Sequence, residues 1–126
     1  MRKIEDKLCE ITQECLRGKF TKSFSKRLSK RDTVEYDHGR QQVAVFLWNS
    51  PIVKLDIDER SMIVQSCGHE TNTTKSRLNS FMSYFDSQVT GIYQKNWTWY
   101  RWDRCLLTGG DNSVEFNGKH EFAVNN

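Results

Sequence analysis

No run in this sequence approaches the length of a membrane span, and the opening Met1-Arg2-Lys3-Ile4-Glu5-Asp6 lacks the apolar stretch of a signal peptide. The expectation is a soluble, intracellular chain with no membrane partner. Proline occurs once, at Pro51, and neither an internal repeat nor a low-complexity segment interrupts the 126 residues, so a single domain is expected by size. The cysteines, Cys9, Cys15, Cys67 and Cys105, form no Cys-x-x-Cys and show no paired spacing, and in a reducing compartment they stay thiols. Zinc would need Cys67, His69, Cys105 and either His38 or His120 to converge from distant segments with nothing local demanding it. No metal and no cofactor is expected. His38, His69 and His120 are the only histidines, none framed beside a serine or cysteine nucleophile. No glycine-rich phosphate loop precedes a helix, and Asp56, Asp58 and Glu59 read as solvated acids at a strand end. Catalysis is therefore not expected.

What is present is cationic charge concentrated in one place. Residues 17–31, Arg-Gly-Lys-Phe-Thr-Lys-Ser-Phe-Ser-Lys-Arg-Leu-Ser-Lys-Arg, carry seven cations, no acid and two phenylalanines. The whole chain carries +3, so the remainder carries −4. A basic arm on a mildly acidic body sets up a local field that attracts polyanions and that a whole-chain average conceals. Nucleic acid is the partner this charge points to first, with Lys19, Lys22, Lys26, Arg27, Lys30 and Arg31 as candidate phosphate contacts.

The arm follows a helix. Ile4, Leu8, Ile11 and Cys15 fall on one stripe, Leu16 widens it, charges lie opposite, and Gly18 is placed to end it. Within the arm, Phe20, Phe24 and Leu28 recur at helical spacing, which allows either a short amphipathic helix or an irregular segment. From Thr33 the period changes to two: strands are expected over 33–37, 42–48, 52–56 and 61–66, an antiparallel meander in which Pro51 opens an edge-tolerant strand. Thr73 or Thr74 can cap a second helix whose apolar face is Leu78, Phe81, Met82 and Phe85. A hairpin over 89–94 and 97–102 turns at Lys95-Asn96, and the tail, with possible strands at 113–116 and 120–124, either pairs with the sheet or stays loose.

Two further places could touch a nucleic acid. The start of the second helix, with Thr73, Thr74, Lys75 and Arg77, offers hydroxyls, cations and a helix N-terminus to phosphate; the plainer reading is that the threonines cap and the cations face water. In Trp97-Thr98-Trp99-Tyr100-Arg101-Trp102, strand alternation puts Trp97, Trp99 and Arg101 on one face. Bases stack on such a face, but a small core also uses aromatics, so Trp97 and Trp99 are either platform or packing. Lys95 and Arg101 would supply charge beside them.

Leu47-Trp48-Asn49-Ser50-Pro51-Ile52-Val53-Lys54-Leu55, Ser66-Cys67-Gly68-His69-Glu70-Thr71-Asn72-Thr73-Thr74-Lys75-Ser76-Arg77-Leu78-Asn79 and Ile92-Tyr93-Gln94-Lys95-Asn96-Trp97-Thr98-Trp99-Tyr100 together resemble a family of small bacteriophage proteins. That family shows a Leu-His-Gly-Asn strand, a Thr-Thr-Lys-x-Arg-Leu-Asn helix start and an Ile-Tyr-Gln-Lys strand. This chain departs at the first motif, where Trp48-Asn49-Ser50 replaces His-Gly-Asn. The resemblance implies a viral origin and a host-cytoplasm setting, and it assigns no chemistry.

The expected fold is α+β: an N-terminal helix with the basic arm over 1–32, then over 33–126 a four-stranded antiparallel meander, a packed helix and a closing hairpin. The expected function is non-enzymatic binding of DNA or RNA, single-stranded or with little sequence preference. The alternatives are an inhibitor of a host protein, such as an anti-defence or host-takeover factor, and a virion or assembly component.

Overall fold

A computed structural model describes residues 3–86, 90–95, 98–104 and 111–124. Helix α1 (Lys3–Leu16) leads into strand β1 (Phe24–Arg27), and four strands follow: β2 (Asp32–Asp37), β3 (Gln42–Leu47), β4 (Ser50–Asp56) and β5 (Ser61–Gln65). Helix α2 (Asn72–Phe85) precedes β6 (Thr90–Lys95), β7 (Thr98–Arg104), β8 (Asp111–Glu115) and β9 (Lys119–Ala123). The fold is α+β, with the expected helix, meander, second helix and hairpin all present.

The meander grows into a six-stranded antiparallel sheet ordered β1-β2-β3-β4-β5-β9, and the hairpin gains β8 to make a sheet ordered β6-β7-β8. The tail therefore pairs: Met62 faces Phe122 and Val64 faces His120 across β5 and β9. The arm pairs as well, and not as a helix, because Lys26 is in register with Val34 and Arg27 with Thr33. Strand β4 is interior, not an edge. Its proline is tolerated because Pro51 sits beside the register shift at Val45/Phe46, beyond the ladder that β5 makes with 53–56.

Both helices lie against the six-stranded sheet, α1 on β2 and β3 and α2 on β4 and β5, and α2 also packs on β6 of the smaller sheet. Alternation along each strand sends Val34, Tyr36, Val43, Val45, Met62 and Val64 into that core. Leu8, Cys9 and Leu16 of α1 and Leu78, Phe81, Met82 and Phe85 of α2 close over them. The buried stripe of α1 is rotated from the expected one: Glu5, Leu8, Cys9 and Thr12 are buried, while Ile4 and Ile11 are only partly covered. Gly18 ends the helix with φ +77°, a conformation that costs a glycine nothing. Burial, with the charges of Asp6, Glu5 and Glu10 adding to it, pushes the Cys9 thiol up to about 12. Burial does the same to Cys15, which also reaches about 12. Neither thiol is reactive near neutral pH.

Candidate nucleic-acid interface

The basic arm is anchored by its apolar residues. The Phe20 and Phe24 rings meet edge to face at 4.8 Å, and both approach Tyr36, at 6.4 Å and 5.6 Å. Leu28 is half-buried against the same core. Three contacts of this kind turn the segment into an edge strand, because each ring covers apolar area that an isolated helix would leave in water. The cations are left outside: Lys22, Lys26, Arg27, Lys30 and Arg31 are all exposed. Lys19 is also exposed, but it is ion-paired to Glu14. Cations along an exposed edge also deter pairing with another strand.

The turn after β1 is held rigid. The Ser29 hydroxyl donates to Asp32 Oδ2 (2.7 Å) and accepts the N–H groups of Arg31 (3.0 Å) and Asp32 (3.1 Å). Arg27 folds back over this turn, donating to the carbonyls of Ser29 (3.0 Å) and Lys30 (3.1 Å). The Arg31 carbonyl in turn accepts the N–H of Trp48 at 2.6 Å. Lys30, Arg31 and Trp48 are thus brought together at one end of the sheet.

Trp48 lies in the connection between β3 and β4, not in the strand where alternation placed it. It is 64% exposed and has φ +58°. A left-handed backbone costs a residue with a Cβ roughly 1–2 kcal/mol, and a bulky aromatic is rarely found there. The tight β3–β4 connection imposes this conformation, as other turns impose it on Gln41 (φ +52°) and Arg60 (φ +51°), and the result is a large aromatic ring held in water beside two exposed cations.

The start of α2 behaves differently. Thr71, not Thr73 or Thr74, is the cap, accepting the N–H of Thr74 at 3.2 Å. Thr74 is buried, its hydroxyl 3.1 Å from that of Thr71, while Thr73 and Lys75 are half-buried. Arg77 is not turned toward water or a phosphate at the helix start: it is 1% exposed. Its Nε and Nη2 donate to the two oxygens of Asp32 at 2.8 Å and 3.1 Å, and its Nη1 lies 3.6 Å from Glu5 Oε1. Glu5 is also buried and accepts the hydroxyls of Ser76 and Ser80, each at 2.8 Å. Burial alone would raise the Asp32 carboxyl, but hydrogen bonds from Arg77 and Ser29 and the guanidinium charge hold it below its ordinary value. Asn79 completes the motif by clasping Ile92 of β6, donating to its carbonyl (3.1 Å) and accepting its N–H (2.7 Å). The Thr-Thr-Lys-x-Arg-Leu-Asn stretch is thus a fastening between α1, the β2 end and β6.

Among the aromatics, Trp99 is packing: it is 2% exposed and lies against Phe116 at 6.1 Å. Trp97 lies outside the described residues. Arg101 is half-buried with its guanidinium on His120 Nδ1, and Lys95 is exposed on β6. Both belong to the three-stranded sheet, so the structure does not join them to the arm through a shared sheet. Sequence reasoning missed Trp48 as a surface residue; the signal lay in the two-residue gap that a tight β3–β4 hairpin requires. It also missed Glu5, although Glu5, Leu8, Cys9 and Thr12 share one helical face. Among the described residues, no group of three or more His, Cys, Asp and Glu side chains is placed to hold a metal ion. Cys105, one of the zinc candidates, lies outside them.

Residues 1–123 match the Kyanoviridae Gp96 protein family. The chain belongs to that family, so it is a bacteriophage protein, as the resemblance implied. Neither a curated protein nor a solved structure matches it.

Proposed function

We propose that this phage protein binds single-stranded nucleic acid in the host cytoplasm, without catalysing a reaction, through the β1 edge, the 28–31 turn and Trp48. The observation that carries the reading is Trp48 itself, exposed at strained backbone and bonded to the carbonyl of Arg31. Lys22, Lys26, Lys30 and Arg31 attract the phosphates, and the indole offers a face on which any base can stack. Stacking of this kind is worth ~1–3 kcal/mol per base and is tolerant of sequence. Cations without base-edge readers give affinity without specificity.

The test is fluorescence anisotropy with a mixed-sequence single-stranded oligonucleotide, comparing wild type with Trp48→Ala. The proposal expects binding at low salt that weakens about tenfold in the variant, the equivalent of one lost stack. Wild-type protein that ignores DNA and RNA, single- or double-stranded, would remove the reading.

A further inference from the structure

Both helices cover one face of the six-stranded sheet, and among the described residues the opposite face is open. We infer that this open face is a second interaction surface, a docking groove for a cationic, partly apolar segment of another protein. The inference goes beyond nucleic-acid binding and uses none of the residues assigned to it.

The groove has a volume of about 1050 Å³. One row of residues crosses all its strands in register: Ser25, Glu35, Ala44, Lys54, Ile63 and Glu121. The next row, toward one end, contains Asp37, Gln42, Asp56 and Ser61, and Glu59 lines the groove at the same end. Five acids thus line the groove against one lysine, Lys54. Their charges are mostly free for a ligand: Asp37 faces Arg40 only at 3.9 Å, with both side chains exposed. Asp56 accepts a backbone N–H from Glu59, and Glu121 accepts the Ser61 hydroxyl. Ala44, Phe46, Pro51 and Ile63 give the floor an apolar strip. An acidic rim over an apolar floor fits lysines or arginines flanking one or two apolar side chains.

A second copy of this chain is the weaker occupant. Its only concentrated basic segment is already fastened to its own sheet through Phe20 and Phe24. A free cationic segment of another protein meets no such obstacle.

The probe is a fluorescein-labelled peptide of lysines around two leucines, with controls in which serine replaces leucine or glutamate replaces lysine. Wild-type protein at low salt is expected to bind the lysine–leucine peptide, and the serine control more weakly. The triple variant Glu35→Gln, Asp56→Asn, Glu121→Gln keeps shape and hydrogen bonding. It should bind about tenfold more weakly with an unchanged melting temperature, and it should retain oligonucleotide binding. No binding by wild type, equal binding by the triple variant, or equal binding of the glutamate peptide would overturn the inference. So would a wild-type dimer in sedimentation that the triple variant dissolves, since the groove would then be filled by a second copy. Loss of oligonucleotide binding alone would count against the function proposed above and leave the groove standing.

Discussion

Residues 17–31 and 71–79 are the two stretches where hydroxyls and cations crowd together in this sequence. The fold treats them oppositely. The first is pinned by Phe20, Phe24 and Leu28 with its cations in water; the second sends Arg77 into the core and leaves only Lys75 half-covered. What separates them is the supply of acids. Arg77 meets Asp32, 45 residues earlier, and Glu5, with serine hydroxyls completing the network. Within 17–31 there is no acid, and of the cations in that stretch only Lys19 has an ion-pair partner among the described residues, Glu14. A cation is buried where carboxylates are brought to it, and otherwise stays available for a polyanion.

The comparison breaks most sharply at Arg77. Arg77→Ala leaves two buried carboxylates without their counter-ion and should cost ~3–5 kcal/mol in urea unfolding, as much as a core truncation. Lys75→Ala, two residues away, should stay within about 0.5 kcal/mol. Equal, small effects would mean that Arg77 is on the surface after all. Truncating the apolar face of the same helix sets the scale: Leu78→Ala and Phe81→Ala should each cost ~2–5 kcal/mol, checked by the same melts.

Acid sharpens the contrast further. The Asp32 carboxyl is held below its ordinary value of 3.8 in the folded chain. Its contribution is therefore complete above the unfolded value and disappears as pH falls through the folded one. Urea midpoints should decline below about pH 4 more steeply for wild type than for Asp32→Asn. Parallel declines would show that the pair with Arg77 does not form.

A further small stability effect carries the opposite sign. Trp48→Gly removes an exposed ring and relieves the left-handed strain, so the melting temperature should hold or rise, by up to about 1 kcal/mol of stability. Oligonucleotide binding should fall at the same time. A destabilised glycine variant would show that the indole packs and is not presented.

Local pattern carried much of this fold. Helix α1, the meander and the Leu78-Phe81-Met82-Phe85 face follow from periodicity within a single element, where neighbouring side chains decide the outcome. The readings that failed depended on distant partners. Phe20, Phe24 and Leu28 have helical spacing, but pairing with β2 and the ring of Tyr36 draw the segment into the sheet. Strand β9, whose pairing the sequence leaves open, needs β5, with Ser61 facing Ala123 about half the chain away. Arg77 looks like a surface residue until Asp32 and Glu5 are placed beside it. Trp48 continued the pattern of β3, and only the tightness of the hairpin moves it out of the strand. Of the proposed interface, the cations of the arm were legible as charge; for the aromatic part the sequence offers Trp97 or Trp99 as platform or packing, and Trp99 is core.

The central claim, that the β1 edge is the polyanion surface, is tested most directly by the salt dependence of oligonucleotide affinity. Wild type should be compared with the variant carrying Lys22→Glu, Lys26→Glu, Lys30→Glu and Arg31→Glu. Losing four phosphate contacts on a single strand should flatten the log–log slope by about three units, with the melting temperature almost unchanged because these side chains are exposed. A wild-type slope that the four reversals leave intact would contradict the account and place the binding surface elsewhere on the molecule.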